Sequence, residues 1–298
     1  MQIPSWLEPL LSNGATDVLI SGPTQCQVDR GLGLESVEID LGTDLDLRRL
    51  AIELALEAGA RVDIAKPIAD FSIAHLRCQV VLPFGVSDQT LISIRQHPKV
   101  QVTLEHLLQA QMLSGDQAQF LVRALASDKT LLIAGPTGSG KTTLLSALIH
   151  AANCRVICIE QTPELNPAHP AVGLMEREAN NEGAGQISTE ELLSHALRMR
   201  PDRIAVGEVR GKEFGSLLLA INNGHSALAT LHSQYLEALP ARLSVLGLIS
   251  GFDPVVANRL IQRVDLVIQL ESGPIRKISA IARLESVGTE IRAVPIEV

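Results

Sequence analysis

Hydrophobic and polar positions first alternate along the chain with a period of two. Between Ala15 and Gly42 the runs TDVLI, QCQVD and SVEIDL are punctuated by SGP and RGLG, which predicts a meander of short strands. The period then becomes helical. Across Thr43 to Leu56 an apolar face runs through Leu47, Leu50 and Leu54, opened by a Thr cap with Asp46 three residues on and stopped at Gly59, which predicts a helix. Alternation returns in ADFSI, RCQVVLPF and QTLISIR. The run HPKVQVT has a proline and no apolar period, so it reads as a linker. The expected division is a domain over residues 1–97, a linker over 98–102 and a second domain over 103–298.

The second part is patterned differently. Thr103 to Ala126 predicts two short helices broken at Ser114-Gly115. From Lys129 onward, strand-like and helix-like stretches alternate: TLLIA, helix, RVICI, a long loop, helix, RIAV, helix, ALATL, helix. DLVIQL, KISAIARL and EIRAVPI follow as closing strands. Such alternation predicts βα units around a largely parallel sheet.

Composition narrows the chemistry. The 298 residues include only seven aromatics, so the core must be built from Leu, Ile, Val and Ala, and platforms for stacking single-stranded nucleic acid are nearly absent. A formal net charge of −8 argues further against a protein that holds nucleic acid through its phosphates. Cys26, Cys78, Cys154 and Cys158 show no CxxC spacing and read as small apolar residues in a reducing, cytosolic setting. The start lacks a basic n-region, and no apolar run approaches the ~20 residues that span a bilayer, so membrane association is expected to go through partners.

Within TLLIAGPTGSGKTTLLSALI, the residues Gly135, Pro136, Thr137, Gly138, Ser139, Gly140, Lys141 and Thr142 match GxxxxGK[ST], between an apolar strand and an apolar helix. Glycines at 135, 138 and 140 let the backbone curl so that its N–H groups face phosphate oxygens, with the helix N-terminus adding its positive end. Lys141 reaches the β- and γ-phosphates, Thr142 offers its hydroxyl to Mg²⁺, and Thr143 follows in the first helical turn. The competing reading is a glycine-rich turn without a ligand.

Three later segments carry candidate chemistry. CIEQTPEL puts Glu160 at the carboxyl end of the RVICI strand, with Glu164 four residues on, at the edge where open α/β sheets bind ligands. RIAVGEVRG puts Glu208 after a third strand, with Arg210 two residues later; a carboxylate there holds a Mg²⁺-bound water or activates the attacking one. NNGHSALATLHS places His225 and His232 around a fourth strand, both expected at the same edge. Glu208 and Glu160 are equally eligible as general base, and both are candidate metal-site acids. Each segment alone also reads as an ordinary loop.

Taken in order, GPTGSGKT, IEQTPEL, LRMRPDRIAVGEVRG and NNGHSALATLHS resemble the secretion ATPase superfamily of type II and type IV secretion and type IV pilus machines, above all its branch in Tad/Flp pilus assembly and conjugal transfer. ARVDIAKPIADFSI, RCQVVLPF and LISIRQ resemble that branch's N-terminal domain. The resemblance implies an α/β subunit in which a smaller PAS-like α+β domain precedes a RecA-like P-loop ATPase domain. It further implies ATP and Mg²⁺ as ligands, a hexameric ring, and an inner-membrane platform protein as partner on the cytoplasmic side. IEQTPEL matches the family's Asp box, GEVRG an atypical Walker B, and GHSALATLH the His box. Glu208 then becomes the catalytic or Mg²⁺-organising acid, and His232 a sensor of the γ-phosphate region. Arg77 and Arg95, with Arg61 as a third, match arginines that reach over the nucleotide. With Arg177 and Arg210, they would gather positive charge around one nucleotide.

The chain also departs from the pattern. Gln161 stands where the Asp box usually has Asp, removing one charge beside the phosphates. Gly173 and Ala184 stand where the loop around LMEREANNEGAG often has arginines, leaving Arg177 as the candidate inter-subunit finger. A four-cysteine zinc insert is absent, in keeping with the Tad-like branch. Two other readings stay open: a conjugation-type DNA-transfer motor, and a nucleotide-binding assembly module with little hydrolysis.

Overall fold

The alternation in the first part of the chain becomes six strands in the computed structural model: β1 (Asp17–Ser21), β2 (Gln25–Asp29), β3 (Leu34–Glu38), then β4 (Ile68–Ile73), β5 (Leu76–Val81) and β6 (Leu91–Gln96), with α1 (Asp44–Glu57) between β3 and β4. The structure describes residues 3–31, 33–73, 76–96, 101–165, 167–177, 184–273, 275–287 and 290–298. Two compact units divide it, Met1–Lys99 and Val100–Val298.

In the first unit all pairings are antiparallel and the order is β3-β2-β1-β6-β5-β4. The unit's first and last strands therefore meet mid-sheet, which is the PAS-like α+β arrangement. Val18, Ile20, Val28, Cys78, Val80, Ile92 and Ile94 share the buried face with Leu47, Ala51, Leu54 and Ala55 of α1. The expected capping box is present: Asp46 N donates to Thr43 Oγ1 at 3.3 Å and Thr43 N to Asp46 Oδ2 at 2.9 Å. Leu50 is only partly buried, because Ala51 and Ala55 bring that side of the helix closer to the sheet. β3 begins two residues before the SVEIDL run because Asp29 receives the N–H groups of Gly31 (2.7 Å) and Gly33 (3.1 Å), which sets the β2–β3 turn and hence the register.

In the second unit, α2 (Leu104–Gln109) and α3 (Gly115–Ala126) are capped by Thr103 and Ser114. There follow β7 (Leu131–Gly135), α4 (Lys141–Ala152), β8 (Val156–Glu160), β9 (Val172–Met175), α5 (Thr189–Ala196), β10 (Arg203–Val209), α6 (Glu213–Asn222), β11 (Ser226–His232), α7 (Leu239–Ile249), α8 (Pro254–Ile261), β12 (Leu266–Glu271), β13 (Lys277–Val287) and β14 (Glu290–Pro295). The sheet order is β14-β13-β12-β7-β11-β10-β8-β9, parallel from β12 to β9, with β13 and β14 antiparallel. β7 is thus separated by β11 from β10, the RecA-like order. Its alternate residues serve two cores: Leu131 and Ile133 pack with α2, α3 and α4, whereas Leu132 and Ala134 pack with α5 to α8.

β9 lies in what the pattern predicted as a long loop. It is a four-residue edge strand containing Gly173, half-exposed, and too short to show a period. Residues 98–100 of the expected linker lie outside the described residues, and Val102 packs against the core of the second unit. Arg203 is almost fully buried and donates to the carbonyls of Lys129 (2.6 Å) and Leu125 (3.0 Å), so a cation satisfies the last turn of α3 beneath the sheet. Among the described residues, no helix is long and apolar enough to cross a membrane.

Candidate functional site

β7 is buried throughout, and it delivers Gly135 to the carboxyl edge of the parallel sheet. The chain then turns through Gly138 (φ 76°) and Gly140 (φ 90°) into α4. A side chain at Gly135 would place its Cβ 2.6 Å from Ser139 Oγ and 3.0 Å from the Leu270 carbonyl, so close backbone approach dictates glycine there. Ser139 is fully buried and its hydroxyl has no hydrogen-bond partner among the described residues.

Helix α4 starts at Gly140 without a side-chain cap, as do α6 and α7, whereas α1, α2, α3, α5 and α8 are each capped by Thr, Ser or Asp side chains. Its first N–H groups and positive end are consequently available to an anion. Lys141 is half-buried and its Nζ donates to the Pro136 carbonyl at 2.9 Å. Burial holds its ammonium below the usual lysine range; Glu208 and Glu164 oppose that shift and Arg210 adds to it. Lys141 therefore lies within electrostatic reach of Glu208, Arg210 and Glu164. The glycine cradle, the unpaired Ser139 hydroxyl and the uncapped helix fit a phosphate chain.

The two candidate acids are held differently. Glu160, at the end of β8, is buried, and its Oε1 accepts the N–H groups of Glu164 and Leu165, both at 2.9 Å. It therefore pins the 160–165 turn. Burial is the leading cause that pushes its carboxyl up to about 7, the Glu164 charge adding and the two N–H donors opposing. Raised above its unfolded value of ~4.3, such a group contributes stability that is fully present below that value and lost as pH rises through about 7, roughly 4 kcal/mol in all. In chelator-containing buffer without nucleotide, Glu160→Gln should therefore gain stability relative to the parent between about pH 5 and 8. Urea midpoints across that range check this, and parallel curves for the two proteins would contradict it.

Glu208 sits in a β-bulge. The register of β10 against β11 shifts between Val206 and Val209, and the Gly207 carbonyl released there accepts Thr230 Oγ1 at 2.6 Å. A Cβ at Gly207 would lie 3.2 Å from Glu160 Cγ, so the bulge is also where β10 passes closest to the first acid. Glu208 remains partly exposed and pairs with the Arg210 guanidinium, which that hydrogen bond pushes above its ordinary range. Glu213, at the start of α6, accepts the N–H groups of Arg210 and of Gly211 (2.8 Å) and so fixes the turn behind the pair.

Thr230 and Glu213 are absent from the candidates the motifs supply. Their signals are faint: a lone hydroxyl inside an apolar strand, and an acid in the first turn of a helix.

His232 pairs in register with Gly135, so it ends β11 beside the phosphate loop, exposed. The expectation that His225 shares that edge is corrected. His225 precedes Ser226, at the opposite end of the seven-residue β11, about 23 Å away at ~3.3 Å per residue, and takes no part in the site at the loop. Arg177 is also corrected as a ligand of its own phosphate loop. It follows β9, four strands from β7, about 19 Å at ~4.8 Å per strand, and its Nε donates to the Gly185 carbonyl at 2.6 Å. Residues 178–183 of the same loop lie outside the described residues. Gln161 is exposed beside Glu160.

Arg61, Arg77 and Arg95 belong to the first unit. Arg77 and Arg95 are direct cross-strand neighbours on the face opposite the core. Like charges so placed repel, and each has an acid beside it: Asp70 at 3.0 Å from Arg77 and Asp17 at 2.8 Å from Arg95. Arg61 pairs with Asp63.

Fold and site together define a RecA-like phosphate-loop protein with a strand-borne acid two strands from the loop. A profile for the Type II/IV secretion system protein family matches residues 61–288, about three quarters of the chain. The chain belongs to that family. A putative conjugal transfer protein of Mycobacterium tuberculosis is 37% identical over 97% of this chain and 87% of its own length. The type IV secretion system protein VirB11 of Bartonella henselae is 27% identical over 85% of this chain and 83% of its own. In fold, the chain is similar to the Legionella pneumophila ATPase DotB (TM-score 0.62, 20% identical, 98% of this chain and 81% of that one) and to the pilus retraction motor PilT (TM-score 0.64, 18% identical, 100% and 84%).

Proposed function

We propose that the chain is a Mg²⁺-dependent ATPase motor subunit that powers Tad/Flp-like pilus assembly or protein secretion. The glycine cradle that leads through Gly138 and Gly140 into the uncapped start of α4, with Lys141 at its head and the buried Ser139 hydroxyl inside it, carries the reading. The loop N–H groups and Lys141 bind the β- and γ-phosphates and offset the charge that develops on them during phosphoryl transfer. Mg²⁺, when bound, supplies further neutralisation; Thr142 and Glu208 would hold it, in keeping with a cation that prefers phosphates, water and one or two carboxylates to a protein cage.

Glu208, open at the bulge, orients the attacking water, and His232 faces the terminal phosphate from the end of β11. Glu160 holds the turn that carries Glu164 and acts by positioning. Arg77, Arg95 and Arg61 reach the nucleotide when the N-terminal domain closes, which couples hydrolysis to motion. Arg177, too far from its own loop, serves a neighbour's site, and that use requires head-to-tail contacts that close into a ring, six-fold by family resemblance. The ring works on the cytoplasmic side against an inner-membrane platform protein.

Phosphate release by the purified oligomer tests the reading: it should require Mg²⁺ and be insensitive to DNA. Tight binding without turnover, unchanged by Gln161→Asp, would point instead to an assembly module. The name of the mycobacterial relative favours one competitor, a conjugation-type DNA-transfer motor. Hydrolysis accelerated many-fold by DNA at physiological salt would decide for it.

A further inference from the structure

The acids and His232 occupy one flank of the phosphate loop, at the ends of β11, β10 and β8. The other flank belongs to β12, whose Leu270 carbonyl already abuts Gly135, and to the hairpin that joins β12 to β13 beyond the same edge. The hairpin is closed by a Glu271–Lys277 ion pair at 3.0 Å. Its Ile275 is half-exposed. The Cδ of Arg276 lies 3.6 Å, and the Cε of Met112 2.9 Å, from where a Cβ on Gly140 would stand, so both side chains cover the opening turn of α4. Met112 is buried, and its carbonyl accepts the Ile278 N–H at 2.8 Å, tying the α2–α3 connection to the hairpin. The guanidinium beyond this anchored stem is exposed and makes no ion pair with another described residue.

A nucleotide laid in the loop with its terminal phosphate toward Glu208 and His232 directs its other end toward this hairpin. We propose that Arg276, its stem seated on Met112 and Gly140 and flanked by Ile275, is the contact for the nucleoside end of the bound nucleotide. This inference rests on the phosphate-loop reading above. A guanidinium is planar, weakly hydrated and stacks on aromatic faces, so it can cover a purine ring. None of the chain's seven aromatics lies in residues 135–143 or 271–277, so neither the phosphate loop nor the hairpin carries an aromatic ring of its own.

The test is equilibrium binding of ATP, ADP and inorganic tripolyphosphate to the full chain and its variants. Arg276→Ala should weaken ATP and ADP about tenfold and leave tripolyphosphate unchanged, whereas Lys141→Ala should weaken all three. Arg276→Lys, which keeps the charge but loses the plane, should behave like Arg276→Ala, and it decides the matter if thermal melting shows the alanine variant to be unfolded. ADP affinity within about twofold of the parent, or an equal loss for tripolyphosphate, would overturn the nucleoside role while leaving the phosphate-loop reading intact. A parent protein that binds neither ADP nor tripolyphosphate would remove both.

Discussion

Replacing Lys141 by alanine is expected to lower ATP turnover by roughly 10³-fold or more, the scale seen when one preorganised charge-stabilising donor is removed from an active site. The ammonium faces the loop at the start of α4, where no other lysine stands, and its half-buried position strengthens its field on a bound phosphate. The fold should survive. Among the described residues, the hydrogen bond lost is that from Nζ to the Pro136 carbonyl, a contribution of about 1 kcal/mol, and removing a partly desolvated cation offsets it. Phosphate release measured beside a thermal melt checks both halves: near-normal turnover by a folded Lys141→Ala protein would remove the phosphate-loop mechanism.

Glu208→Gln should reduce turnover by roughly 10²–10⁴-fold with nucleotide binding retained, the range for loss of a positioned general base. The amide keeps the shape of the side chain within the bulge and loses only the charge that pairs with Arg210 and orients water. Glu160→Gln should cost much less, since an amide oxygen still accepts the Glu164 and Leu165 N–H groups and holds the turn. Single-turnover hydrolysis by the two variants separates the acids. An equal or larger loss at Glu160 would transfer the role.

Much of the site is legible in the chain as written. The phosphate loop is local: eight consecutive residues between an apolar strand and helix contain all that the curl and the helix N-terminus require. The capping boxes at Thr43 and Ser114 are equally local, each formed within one turn of its helix. Legibility ends where a property depends on distance across the sheet. His225 and His232 flank the same run, yet a seven-residue strand sends them to opposite edges. Arg177 lies in a loop whose motif neighbours a site acid, yet the interposed strand order carries it away. Thr230 lies within the His-box run, yet its partner, the Gly207 carbonyl, comes from another strand, and Arg276 carries no motif and meets Gly140 and Met112 from far along the chain.

The sequence by itself therefore determined the alternation of strands and helices, the division of the chain into two differently patterned parts and the identity of the phosphate loop, since all of these follow from neighbours along the backbone. Only the tertiary structure shows how differently Glu160 and Glu208, two glutamates that end similar strands, are held. Burial and two backbone donors commit the first to its own turn, whereas a bulge held by Thr230 leaves the second open to the loop. That difference depends on which strands adjoin and how deeply each lies, and neither is written in local spacing.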